Sequence, residues 1–169
     1  KCTARLSVAT ASLAAFVADY QDRQELSIRQ LWALPTMLRL ICLEALVSAS
    51  AELFPGLPSP FAGTSAAGWG QGQDPTERVA RAITALTALA AIPWKDFFDA
   101  TSRVDAGLRG DPAGVYARMD FDSRDLYRRA VEEIARGSRC GEAEVVRRAV
   151  AFAEANAGDP RRGHVGYWL

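Results

Sequence analysis

Apolar residues recur at three- and four-residue steps along most of this chain, with polar breaks between the runs. Leu6, Thr10, Leu13, Phe16, Val17 and Tyr20 define a first amphipathic helix, and the polar stretch 21–25 ends it. Ser27 with Gln30 three residues on forms a capping-box pattern and predicts a new helix start. Ile28, Leu31, Trp32, Leu38, Ile41, Cys42, Ala45 and Leu46 follow on one face. Pro35 lacks an N–H and crowds the preceding turn, so a kink or two abutting helices is expected near Leu34.

Residues 55–73 read as a long Pro/Gly-rich loop. Asp74-Pro75-Thr76-Glu77 then opens a helix, with an N-cap, proline at the first position and a carboxylate at the third. Its apolar face is Val79, Ala82, Ile83, Leu86, Leu89 and Ala90; the opposite face is mostly Ala and Thr, which predicts burial nearly all round. From Pro93 a further helix carries Trp94, Phe97, Phe98, Thr101, Val104 and Leu108 inward and closes at Gly110. Asp111-Pro-Ala-Gly114 is turn chemistry. Asp122 or Ser123 is expected to cap the next helix, with Leu126, Tyr127, Ala130, Val131 and Ile134 as its stripe and Gly137 as its stop. A last helix over about 142–157 uses Val145, Val146, Ala149, Val150 and Ala153, and 161–169 remains as a tail. The pattern predicts an all-α irregular bundle of six or seven helices, a single helical domain over 1–169 with one flexible loop at 55–73.

Composition narrows the function classes. The chain has 169 residues, 49% hydrophobic and 24% charged, as ordinary globular domains do. Twenty basic and twenty acidic side chains cancel, so no global charge favours nucleic acid or an anionic membrane. The uncharged run 53–73 is broken by Pro55, Pro58, Pro60 and five glycines, and 82–94 is too short to span a bilayer; no transmembrane segment is expected. Lys1 opens mid-pattern, which leads to the expectation of a piece excised from a larger protein. Cys2, Cys42 and Cys140 lack metal-site spacing; Cys42 reads as a small core hydrophobe, and reduced thiols fit a cytoplasmic setting.

No interlocking catalytic set stands out, and neither catalytic residues, cofactor-binding residues nor metal ligands are predicted. Asp120, Asp122 and Asp125 lack the later glycine and glutamate of a calcium loop and read as helix-start charges. Arg124, Arg128 and Arg129, with Arg118 nearby, form a candidate anion-binding face. Glu132 and Glu133, four residues beyond Arg128 and Arg129, favour a solvated, mutually paired surface instead. Arg147 and Arg148 with Glu144 repeat that theme. Tyr116 and Phe121 flank the turn, and a buried tyrosine hydroxyl there requires a local partner. The candidates for interaction are Trp69, Tyr116, Arg118, Arg124, Arg161, Arg162 and His164, although Trp69 packed on the core and His164 as a surface or packing residue are the simpler readings.

Several segments resemble the bacterial cyclic β-1,2-glucan synthases. Leu26-Ser-Ile-Arg-Gln-Leu-Trp-Ala-Leu-Pro-Thr-Met-Leu-Arg-Leu40 is similar to a stretch of their N-terminal regions, with Gln30 where the family often has Glu. Pro93-Trp-Lys-Asp-Phe-Phe98 resembles a second element, and the segment from Asp111 to Ala135 is the most similar of all. Asp159-Pro-Arg-Arg-Gly-His-Val-Gly-Tyr-Trp-Leu169 resembles the end of the same region. These are very large inner-membrane enzymes that build a β-1,2-glucan from UDP-glucose on a protein-attached primer, trim it by phosphorolysis and close it into a ring. The resemblance implies a non-catalytic accessory or scaffold domain on the cytoplasmic side, before the membrane spans and the glycosyltransferase domain, docking against other domains of the parent synthase. An alternative is a module holding the growing β-1,2-glucan, with Trp69, Tyr116 and nearby arginines as contacts. A third reading places primer attachment on Tyr20, Tyr116, Tyr127 or Tyr167.

Overall fold

The computed structural model describes residues 2–54, 56 and 72–169, with side chains from Thr10 onward. The expected loop therefore lies largely outside the described residues, and Trp69 lies wholly outside them. Among the described residues there are seven α-helices: α1 (Cys2–Gln21), α2 (Ile28–Leu53), α3 (Pro75–Ala90), α4 (Trp94–Thr101), α5 (Arg103–Leu108), α6 (Phe121–Ser138) and α7 (Glu142–Ala155). Two short 3-10 turns, Tyr116–Arg118 and Val165–Tyr167, complete the set, and there is no strand among the described residues. The all-α class expected from the hydrophobic period is the class observed.

The capping signals of α2 and α3 act as the sequence predicts. Gln30 Oε1 accepts from the Ser27 amide at 2.9 Å while Ser27 Oγ accepts from the Gln30 amide at 3.2 Å, a reciprocal capping box at the start of α2. Asp74 Oδ1 accepts from the Thr76 amide at 3.1 Å, and Pro75 opens α3. The helix start expected at Asp122 or Ser123 lies earlier: Asp120 is the N-cap, its Oδ1 taking the Ser123 amide at 2.8 Å. Helix α6 also runs past Gly137 to Ser138, and Arg139 takes the left-handed stop at φ 59°. The long helix expected over 94–110 is two. Ser102 adopts an extended conformation and its Oγ accepts from the Asp105 amide at 3.2 Å, which starts α5 afresh. Helix α7 ends at Ala155, two residues before the expected stop.

The chain divides into two compact units. One comprises Lys1–Leu13 and Trp32–Trp94, the other Ala14–Leu31 and Lys95–Leu169. In the first, Cys42, Ala45 and Ala49 form the buried stripe of α2, and Cys42 packs as the small hydrophobe expected. Helix α2 passes through Pro35 as one element rather than two abutting ones. Met37, Leu40, Leu43 and Phe54 are exposed, and by length and mean hydropathy, 1.5, α2 is long and apolar enough to cross a membrane. The runs 53–73 and 82–94, which the sequence puts forward and sets aside, are not that candidate. Helix α3 departs from expectation: Ala82 is its one buried residue, and Ile83 is half exposed. Its Ala and Thr side chains carry little apolar area, and Thr84 and Thr87 satisfy their hydroxyls on the carbonyls of Ala80 and Ile83 one turn back.

In the second unit α5 and α6 pack together and both pack on α7, with the Val165–Tyr167 turn against α7 as well. Phe97, Phe98, Val104, Leu108, Val131, Val145, Val146, Ala149, Ala153 and Val165 are buried. The stripe of α6 is rotated from the expected one: Leu126 points outward, and Arg124, Arg128 and Val131 point in. Two arginines in a core require partners, and those partners define the site.

Candidate functional site

Asp105 is fully buried and collects cations around one carboxylate. Its Oδ1 accepts from Tyr116 Oη at 2.8 Å and from Arg128 Nη1 at 2.9 Å, and its Oδ2 from Arg109 Nε at 2.7 Å. Arg124 Nη1 lies 3.2 Å from Oδ2, and Arg124 Nη2 donates to Asp99 Oδ2 at 2.6 Å. Arg128 Nη2 donates to the Phe121 carbonyl at 3.1 Å, while the guanidinium carbon stands 4.4 Å from the Phe121 ring centre and 5.0 Å from that of Phe98. Burial pushes the Asp105 carboxyl up; hydrogen bonds from Tyr116 and Arg109, and the charges of Arg109 and Arg124, outweigh it and hold the carboxyl below its ordinary range. Tyr116 moves the other way, raised by burial and by the hydrogen bond to the Asp105 anion.

A second buried carboxylate lies at the turn. Asp111 Oδ2 accepts from the Val115 and Tyr116 amides at 3.0 and 3.1 Å and from His164 Nδ1 at 2.9 Å; Oδ1 accepts from the Val165 amide at 3.0 Å. The expected turn itself forms, with the Gly114 amide on the Asp111 carbonyl at 2.8 Å and Gly114 at φ 62°. His164 Nε2 is 3.0 Å from Tyr127 Oη, and the Tyr127 ring meets Tyr116 edge-on with centres 5.6 Å apart. Burial pushes Asp111 up, but the Val165 and Tyr116 amides and His164 bring its carboxyl below the ordinary value. Residues 161–169, expected as a tail, are thus tied back: Trp168 Nε1 donates to the Arg162 carbonyl at 2.9 Å, and its ring lies 5.0 Å from Phe152.

Asp111, His164 and Tyr127 line up as a carboxylate, an imidazole and a hydroxyl. That order resembles a nucleophile with its base, but the surroundings oppose the role. Burial and the Asp111 charge raise the Tyr127 hydroxyl pKa, the reverse of activation. A Cβ added at Gly166 would stand 2.8 Å from Tyr127 Oη, so backbone closes over that oxygen. The arrangement positions the C-terminal segment.

The candidates from the sequence separate accordingly. Tyr116 and Arg124 are brought together at Asp105, and His164 joins Asp111 beside them. The local partner required by a buried Tyr116 is Asp105. Arg118 is exposed, its Nε on the Gly114 carbonyl at 3.0 Å. Arg161 and Arg162 are exposed, with their amides on Asp159 Oδ1 at 2.8 and 2.9 Å. The solvated-face reading of the α6 arginines fails for Arg124 and Arg128, which are buried on α4 and α5 carboxylates, and holds for exposed Arg129, which pairs with Asp125 rather than Glu133. Glu132 instead takes Arg29 and Arg136, and Glu144 takes both Arg147 and Arg148. Asp99 and Asp105 are the cluster carboxylates the sequence reading misses, and it takes Asp111 only as a turn residue.

Over 72 residues, 43% of its length, the chain is 36% identical to the cyclic beta-(1,2)-glucan synthase NdvB of Rhizobium meliloti (strain 1021). The match spans 2% of that much longer relative. No protein-family model matches the chain, and no solved structure matches it.

Proposed function

We propose that this chain is a non-catalytic accessory region of a polypeptide of cyclic β-1,2-glucan synthesis, a glycosyltransferase using UDP-glucose. It sits on the cytoplasmic side of a bacterial inner membrane and docks against other domains of the same synthase. The similarity to the Rhizobium meliloti synthase supports the pathway. The observation that carries the non-catalytic role is the closure of the buried charges on one another. Asp105, Asp111, Arg124 and Arg128 are each bonded to partners inside the protein, so their binding energy holds α4, α5, α6 and the C-terminal segment in one arrangement. A catalytic acid or base presents itself to a substrate position; here Arg124 and Arg128 donate to Asp99 and Asp105, and Asp111 accepts from backbone amides and His164.

The test uses the full-length polypeptide that carries this chain. Excising residues 95–169 is expected to abolish ring-glucan production, while the 169-residue chain alone transfers no glucose from UDP-glucose. Sugar transfer by the chain alone, or undiminished ring production after the excision, overturns the proposal.

A further inference from the structure

The second unit carries a groove that its own core does not fill. Ile134 on α6, Val145, Ala149 and Phe152 on α7, and Trp168 from the C-terminal segment wall a cavity of about 180 Å³. Phe152 of its lining is half exposed, as is Tyr167, whose ring meets that of Trp168 with centres 5.1 Å apart. Sites for drug-sized molecules run to about 300–1,000 Å³, so this one is too small for an oligosaccharide and suits one large apolar side chain. Such single-anchor pockets are where protein interfaces concentrate their binding energy.

The rim is basic. Arg148 lines the groove, and it shares the Glu144 carboxylate with Arg147, leaving one positive charge in excess on that trio. Arg139 precedes Cys140 of the lining in the chain and makes no ion pair among the described residues. Arg162 makes none either; its carbonyl holds the Trp168 indole N–H, and its guanidinium carbon lies 5.9 Å from the Tyr167 ring centre. The Asp159 carboxylate takes the amides of Arg161 and Arg162 and also feels the Arg162 charge, so Arg148 carries the excess on this rim.

We infer that this groove docks an acidic peptide segment that seats one apolar side chain on Ile134, Val145 and Ala149, beside the paired Phe152 and Trp168 rings, while its carboxylates meet Arg148 and Arg162. The inference rests on the docking role proposed above and names the surface and the chemistry of its partner. Charge on the rim selects the segment, and the anchor supplies most of the affinity.

The test follows the Trp168 indole N–H by NMR in the whole 169-residue chain, assigned with Trp168→Phe. Three capped hexapeptides are titrated to millimolar concentration: four aspartates around a central Leu-Phe pair, the same with four lysines, and the aspartate peptide with Ala-Ala at its centre. The first is expected to shift the indole signal saturably, and the other two to bind at least tenfold more weakly. Arg148→Glu, at an exposed position, is expected to weaken the aspartate peptide at least tenfold and to improve the lysine peptide. No shift with the first peptide, equal shifts with all three, or indifference to Arg148→Glu overturns the inference. In the full-length synthase, Phe152→Asp separates the two proposals. Ring production lost on excision of residues 95–169 but intact in Phe152→Asp overturns the groove and leaves the docking role standing; production intact in both overturns the docking role itself.

Discussion

Asp105 and Arg128 are both wholly out of solvent, with Oδ1 and Nη1 2.9 Å apart. Taking two charges out of water is repaid only when geometry and additional hydrogen bonds are good. Here Tyr116, Arg109 and Arg124 complete the carboxylate, and the Phe121 carbonyl and ring help hold the guanidinium. Removing one partner strands the other. Arg128→Met or Asp105→Asn is therefore expected to cost about 3–5 kcal/mol. The double substitution should cost less than the sum, because neither charge is then left behind. Urea unfolding of the four proteins closes the cycle; additive losses would show that the two side chains do not act as a pair.

Asp105 and Asp111 both ionise more easily folded than unfolded. A carboxyl with a depressed folded pKa contributes stability above its unfolded value, about 3.9, and loses it as pH falls through the folded one. Stability is accordingly flat on this account near neutrality and declines below about pH 4. Asp111→Asn should start lower and show a shallower acid decline, measured as the urea midpoint against pH. An unchanged acid slope in that variant would remove Asp111 from the account.

The starts of α2 and α3 and the Asp111 turn were legible because each signal and its target lie within one turn. Ser27 with Gln30, Asp74 with Thr76 and the Asp111 turn need only their neighbours. The α6 face was not legible, for the same local reason. Asp125 and Glu132 offered Arg128 partners at helical spacing, whereas its main partners, Asp99 and Asp105, lie on α4 and α5, 29 and 23 residues back. Periodicity counts arginine as polar and so rotates the stripe toward Leu126, which solvent receives instead. Tertiary pairing overrode both the local charge pattern and the hydrophobic one.

Glu142 gives a prediction of opposite sign. Its Oε2 accepts from the Ile28 amide at 2.8 Å, an N-terminal donor of α2. Burial, with Glu132 nearby, nevertheless raises its pKa above the ordinary carboxyl value, against the Ile28 hydrogen bond and Arg29. A raised carboxyl binds its proton more tightly folded than unfolded, so its contribution falls as pH rises from the unfolded pKa through the folded one. Glu142→Gln keeps an oxygen for the Ile28 amide and removes the buried charge. It is expected to be more stable than the parent at pH 7 and equal to it near pH 3, by thermal unfolding at both. Lower stability at pH 7 would mean that the charge, not the acceptor, is what Ile28 requires.

Gly166 packs directly on the Tyr127–His164 contact. A Cβ built there would lie 2.5 Å from Tyr127 Cε1, 2.8 Å from its Oη and 2.9 Å from His164 Nε2. Those distances are too short for contact, and the ring is held by Tyr116 on one side and His164 on the other. Gly166→Ala therefore requires the Val165–Tyr167 turn to move off α6, at about 1–3 kcal/mol. Because Val165 donates its amide to Asp111, the displacement reaches that bond as well. Hydrogen exchange of the Val165 amide should quicken in Gly166→Ala, while core amides of α6 keep their protection relative to global stability. In a Tyr127→Ala background the two shortest contacts are gone and only His164 Nε2, at 2.9 Å and freed from its Tyr127 hydrogen bond, is left to give way, so the same glycine substitution should cost less. A full penalty in that background would place the strain elsewhere in the turn and not at Tyr127.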